Sequence, residues 1–189
     1  MPQERIILGI DPGTTVMGYS VVKQAQRKLH VVQYGVIRLH HYTTHALKLQ
    51  KIFERVSALV DDFKPDAVAL EAPFFGKNVQ AMLKLGRAQG VAMAAALARE
   101  VPITEYAPRK VKQAVTGNGH ASKEQVAHML VNLLQLPQMP DLLDASDALA
   151  VAVCHAYQDQ NFQSKPASWK QFLQQHPERV LSSSTSPRC

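Results

Sequence analysis

The chain has 189 residues, 46% of them hydrophobic and 19% charged, which suits a folded domain with a sizeable core and excludes an intrinsically disordered chain. Its formal net charge of +6 and pI of about 9.4 favour a polyanionic partner. Two cysteines with no CxxC pair, and eight histidines with no ligand spacing, exclude a zinc module and a disulfide framework.

Three strands are predicted first, at Ile6–Ile10, Gly18–Lys23 and Leu29–Leu39, and their short connections suggest an antiparallel meander. A helix is predicted over His45–Phe63, where Leu49, Ile52, Phe53, Val56, Leu59, Val60 and Phe63 form an apolar stripe of helical period. Lys64-Pro65 breaks it, and Ala67–Glu71 reads as a short buried strand. A long helix follows over Lys77–Arg99. It is apolar nearly all round from Val91, so burial on more than one side is expected. Gly86, Gly90 and Ala94 recur at every fourth position, a spacing that lets another backbone come close. That backbone could belong to the chain's own sheet or to a second subunit.

Pro102–Tyr106 reads as the fifth strand, and a helix is predicted from Pro108 to about Val115, closed by the turn Gly117-Asn118-Gly119. The next helix starts at Ser122, where Ser122 and Gln125 have capping-box spacing. A last helix is predicted from about Asp141 to Tyr157. Three antiparallel strands followed by alternating strands and helices give an α/β fold with a mixed five-stranded sheet flanked by helices. Residues 158–189 are rich in Gln, Ser and Pro, and residues 160–189 carry Lys165, Lys170, Arg179 and Arg188 against Glu178. They read as a flexible basic tail, with a short helix around Trp169–Leu173. The chain opens on a strand rather than a signal peptide, and the longest wholly apolar run, Val91–Ala98, is too short for a bilayer, so the expectation is a cytoplasmic protein without a membrane partner.

Two apolar strands stop on a carboxylate, Asp11 before Pro12-Gly13 and Glu71 after Ala67-Val68-Ala69-Leu70. Each acid must be exposed, hydrogen-bonded in a turn, or paired with a cation, because a bare buried carboxylate is costly. If the first and fourth strands are parallel neighbours, the two acids emerge side by side at the carboxyl edge, where open α/β sheets place ligands. Asp144 and Asp147, in "DLLDASDALAVA", are three apart and share a helix face. Taken singly, each acid also fits a turn cap or a solvated helix start. Taken together, charges about 4 Å apart would repel by roughly 4 kcal/mol at an effective dielectric of 20, so clustered acids either hold protons or hold cations. An all-oxygen ligand set favours Mg²⁺ or Mn²⁺ over zinc, and two such ions can activate water at a phosphodiester.

The segments "GIDPGTTVMGYSVV", "ALEAPFFGKNVQAMLKLGRAQGVAMAAALA", "EYAPRKVKQAVTGNGHASKEQVAHML" and "DASDALAVAVCHA" resemble, in this order, the RuvC family of bacterial Holliday-junction resolvases over about residues 5–157. The resemblance implies a ribonuclease-H-like nuclease domain over residues 1–157, a homodimer, and cleavage of four-way junction DNA by paired nicks. It also implies Mg²⁺ as cofactor, with Mn²⁺ able to substitute and two ions per active site, and a RuvA/RuvB-type branch-migration complex as partner. It places Asp11, Glu71, Asp144 and Asp147 as catalytic metal ligands. Phe74 falls where the family carries an aromatic that meets the junction, and Phe75 beside it could share that role as a wedge between bases. Lys77, Arg109, Lys110, Lys112 and Lys123 are the expected basic DNA contacts, of which Lys112 and Lys123 match family positions. Lys123 opens its helix, where it opposes the helix dipole, a local cost that argues for function. His120, in the same loop, receives no assigned role. Two rivals share the opening motif. A YqgF-like RNA nuclease does not account for "EAPFFGKN" or "RKVKQAVTGNGHASKEQV", and an actin-like ATPase needs a second phosphate loop that the chain lacks.

Overall fold

The first strand, β1 (Arg5–Asp11), carries the run Ile7, Leu8, Gly9, Ile10, all of it buried. Residues alternate between the two faces of a strand, so a run buried throughout must be covered on both sides. In a computed structural model describing residues 4–26, 28–73, 78–137 and 143–163 (159–163 by backbone alone), β1 is the middle strand of a five-stranded sheet. It pairs antiparallel with β2 (Val16–Ala25), which pairs antiparallel with β3 (Lys28–Arg38). On its other side β1 pairs parallel with β4 (Ala67–Glu71), and β4 pairs parallel with β5 (Ile103–Tyr106). The order is therefore β3-β2-β1-β4-β5, a mixed sheet of the expected kind.

Helices α1 (His45–Phe63) and α2 (Val79–Leu97) cover one face. Ile52, Val56, Leu59 and Val60 of α1 and Ala88, Ala92, Ala95 and Ala96 of α2 pack there against Leu8, Ile10, Val68 and Leu70. Phe53, expected in the α1 stripe, is 42% exposed, because its neighbour Ile52 takes the inward position. Helix α2 begins at Val79 with Asn78 as its cap, its side chain accepting from the Ala81 N–H, two residues later than the sequence suggested. Its alanine face is buried, but Val79, Leu83 and Leu97 are exposed, and a Cβ on Gly86 or Gly90 would meet nothing within 4 Å. One side of α2 is thus open within this single chain.

The opposite face is covered by α3 (Pro108–Thr116), α4 (Lys123–Leu134) and α5 (Leu143–Gln163). Val111, Val115, Val126, Leu130, Leu149, Val151 and Val153 form a second core there with Ile7, Val22 and Ala69. The capping box at α4 is present in full, Ser122 receiving the Gln125 N–H and Gln125 receiving the Ser122 N–H. The backbone of α5 runs six residues past Tyr157, although "QDQNFQ" offers no apolar stripe to announce it. The start expected for α5 at Asp141, the aromatic-basic segment 74–77, and the tail from residue 164, including the helix expected at Trp169–Leu173, lie outside the described residues. Among the described residues no helix is long and apolar enough to cross a membrane.

Candidate active site

Asp11 closes β1 and Glu71 closes β4, one step beyond the paired Ile10 and Leu70, so the two carboxylates leave the same sheet edge side by side. Both turn toward the face covered by α5. Glu71 stands two residues after Ala69, which lies in that core, and Asp11 stands two after Gly9, whose open side meets α5.

The approach of α5 depends on small residues. Gly18 is the cross-strand partner of Asp11, and a Cβ there would overlap the backbone carbonyl of Asp144. A Cβ on Gly9 would overlap the carbonyl of Ala148, one turn further along. Ser20, facing the same way, donates its hydroxyl to that Ala148 carbonyl at 2.9 Å. These residues form a slot that seats the first turns of α5 directly on β1 and β2. Asp144 and Asp147, three apart on the seated helix, then meet Asp11, and one oxygen from each of the three lies within 4.8 Å of the others. Glu71 completes the acidic edge, since its charge acts on Asp11 and that of Asp147 acts on it.

Crowding shows in the acidities. Burial, then the charges of Glu71 and Asp147, push Asp11 from 3.8 up to about 8, with Lys123 pulling the other way and Asp144 adding a further push upward. Burial and Asp147 raise Glu71 from 4.5 to about 7, opposed by Lys123 and Lys112. Such a site keeps protons unless positive charge joins it. Its donor atoms are hard carboxylate oxygens with no sulfur or imidazole among them, a set that could hold Mg²⁺, Mn²⁺ or Ca²⁺ and disfavours zinc.

The basic residues expected at the site divide. Lys123, at the start of α4, places Nζ 2.5 Å from Asp147 Oδ2. Lys112 sends its ammonium inward to the Ala121 carbonyl at 2.7 Å and so pins the 117–121 loop, while its charge still reaches Glu71. Arg109 and Lys110 are exposed on α3; the Arg109 stem packs on Gly119, and Lys110 lies over the Tyr106 ring, 5.2 Å from its centre. His120 is exposed, its backbone N–H held by the Asn118 side chain. Phe74, Phe75 and Lys77 fall in the segment outside the described residues.

Sequence reasoning missed the α5 slot, whose signal was present: Gly9, Gly18 and Ser20 alternate with large apolar residues on adjacent strands. It also missed the buried pair Tyr106 and His155, Oη to Nδ1 at 3.0 Å, which ties β5 to α5.

The family model described as "Crossover junction endodeoxyribonuclease RuvC" matches residues 7–155. The curated crossover junction endodeoxyribonuclease RuvC of Cytophaga hutchinsonii is 56% identical over 177 residues, covering 94% of this chain and 88% of that protein. That of Porphyromonas gingivalis is 53% identical over 186 residues, covering 95% and 98%. The solved structure of Thermus thermophilus RuvC in complex with Holliday junction substrate is 34% identical with a TM-score of 0.79, covering 84% of this chain and 96% of that one.

Proposed function

The chain belongs to the RuvC family of crossover junction endodeoxyribonucleases, and from that premise we propose that it resolves four-way DNA junctions by paired symmetric nicks, with Asp11, Glu71, Asp144 and Asp147 as its divalent-metal ligands. The observation that carries the reading is the meeting of three carboxylates from β1 and α5 within 4.8 Å, with Glu71 beside them, on a basic chain. The family match runs through "EAPFFGKN" and "RKVKQAVTGNGHASKEQV", the segments that neither rival reading accounts for.

The cofactor in this reading is Mg²⁺, with Mn²⁺ able to substitute, and two ions per site. Bound there, the ions supply Lewis-acid activation of the attacking water and relief of charge on the leaving oxygen. The chain's own residues do the rest. Asp11 and Glu71 give up the protons that burial and crowding favour, which makes the site responsive to pH. Asp144 and Asp147 are held to the sheet by the Gly9–Gly18–Ser20 slot, so their positions are fixed before substrate arrives. Lys123 balances part of the acidic charge and stands where a DNA phosphate would approach. Arg109, Lys110 and Lys112 are the proposed basic contacts on the same side, Phe74 is the proposed wedge with Phe75 sharing its role, and Lys77 is a further basic contact.

Two nicks placed symmetrically in a four-way junction call for two sites related by a two-fold axis. A homodimer through α2 meets this requirement. Its open stripe runs Val79, Leu83, Gly86, Gly90 and Leu97, apolar or small throughout. A RuvA/RuvB-type branch-migration complex is the proposed working partner. The test is incubation with a synthetic four-way junction and Mg²⁺, mapping both cuts. Paired symmetric nicks in the junction, with an otherwise identical linear duplex left uncut, support the reading; equal cutting of both, or none, refutes it.

A further inference from the structure

The acidic edge has a second basic flank, on the sheet face opposite α3 and α4. No Asp or Glu occurs from Pro12 to Phe53 or from Ala72 to Arg99. These stretches include the amino-terminal half of α1 and all of α2. Strand β3 runs parallel to β1 and ends at the edge where Asp11 emerges, since Arg38 pairs with Val16. Helix α1 therefore starts at that edge, and so does α2, which follows β4. Lys48 of α1 shows the proximity directly: its Nζ donates to the carbonyl of Thr14, in the turn that follows Asp11, at 3.1 Å.

Lys48 and His45 of α1 converge with Lys84 and Arg87 of α2. Burial holds His45 below its ordinary 6.5, and the positive charges of Arg87, Lys84 and Lys48 all act on it in the same sense. Lys84 and Arg87 are exposed. The charge of α1 is also arranged against its own dipole. Its first turn has no acid, its first half is basic, and its acids Glu54, Asp61 and Asp62 come later, toward the far end. Helices ordinarily gain from acids in the first turn and bases in the last. An acid-free cluster of three cationic side chains around the His45 imidazole, tied to the turn of the active site and costing helix stability, calls for an external polyanion.

We propose that the ridge formed by His45 and Lys48 of α1 and Lys84 and Arg87 of α2 is a second phosphate track, which holds a duplex arm of the junction on the face of the sheet opposite Lys112 and Lys123. The proposal rests on the reading of the chain as a junction nuclease and deepens it. The carboxylates would then lie between two basic flanks, each gripping backbone on one side of the cut.

The test is salt-dependent binding of the full chain to a labelled four-way junction without divalent ions. The variant is Lys84→Glu with Arg87→Glu. A charge-matched control, Lys23→Glu with Lys51→Glu, alters two lysines already paired with Glu4 and Glu54. Loss of two phosphate contacts per protomer, four in the proposed dimer, should make the plot of log affinity against log salt shallower by about 3.6, and weaken binding on the order of a hundredfold at moderate salt. The control should keep the wild-type slope, and Lys84→Arg with Arg87→Lys should keep the wild-type affinity. A wild-type slope in the double reversal overturns the proposal. So does lost affinity accompanied by a changed sedimentation coefficient, which would place Lys84 and Arg87 in a subunit contact. Failure of the wild type to cut the junction in Mg²⁺ would instead sink the nuclease reading, an outcome distinct from any change in the salt slope.

Discussion

Lys123 Nζ lies 2.5 Å from Asp147 Oδ2, an ion pair between the first turn of α4 and the acid-bearing turn of α5. The lysine is half-exposed and the aspartate largely covered, so the contact brings positive charge to the rim of a crowded acidic site. Lys123 also lowers the proton affinity of Asp11 and Glu71. Lys123→Met should therefore make both acids hold protons more tightly. Junction cleavage should fall on the order of a hundredfold, as when a charge-stabilising donor is removed from an active site. The pH at which cleavage rises should also move upward. A pH–rate profile checks both; an unchanged profile would make Lys123 a surface partner of Asp147 only.

The crowded acids also tie stability to pH. The folded-state value of Asp11 is raised, so the folded chain holds that proton more tightly than the unfolded chain does. Its contribution is fully present below the ordinary value of 3.8 and is lost as pH rises through about 8. Glu71 acts in the same sense between 4.5 and about 7. With divalent ions chelated, the wild type should lose stability across this window, and Asp11→Asn should lose less. Melting temperatures across the window, with and without chelator, decide the matter. Parallel curves for the two proteins would mean that Asp11 does not sit among the other acids.

Gly18→Ala tests the slot. The added methyl would overlap the Asp144 carbonyl and push α5 away from β2. Overpacking of this kind typically costs about 1–3 kcal/mol, or roughly 2–12 °C in melting temperature for a chain of this size. Mn²⁺ affinity and cleavage should fall as well, because Asp144 and Asp147 move together. Wild-type Mn²⁺ affinity in a folded Gly18→Ala protein would show that the close approach is not what positions the acids.

The open face of α2 makes a prediction about assembly. Leu83 is 51% exposed and sits beside Gly86 on that face. The wild type should sediment at twice the 20.9 kDa chain mass, and Leu83→Glu at the chain mass itself. A wild type that stays at 20.9 kDa at micromolar concentration would remove the dimer from the account.

Much of this arrangement was legible in the sequence. Asp11 and Glu71 stood out because each ends a run buried on both faces, where a carboxylate needs a partner. Asp144 and Asp147 stood out by helical spacing. What the chain hides is tertiary. Gly9 and Gly18 read locally as weak points in strands, and only the arrival of α5, more than a hundred residues later, gives them a purpose. Lys123 and Asp147 are 24 residues apart on different helices, so no local pattern pairs them. Lys112 reads as a DNA contact, and its ammonium also donates to the Ala121 carbonyl, a tie to the 117–121 loop that no local pattern announces. The apolar surround of α2 suggested burial on more than one side, whereas the chain alone covers one and leaves Leu83 and Gly86 open, because periodicity marks an apolar face without naming what covers it.

The central claim is that Asp11 ends its strand as a metal ligand shared with Glu71, Asp144 and Asp147. Asp11→Asn keeps the side chain's shape and removes its charge. Binding of junction DNA rests on basic groups and counter-ion release, so it should survive the change. The most direct measurement is the single-turnover cleavage rate of a four-way junction in Mg²⁺, with protein in excess of its dissociation constant. The expected result is a fully bound junction that Asp11→Asn leaves uncut while the wild type nicks it in pairs. Cleavage by Asp11→Asn at near the wild-type rate would reduce Asp11 to a turn cap and contradict the account.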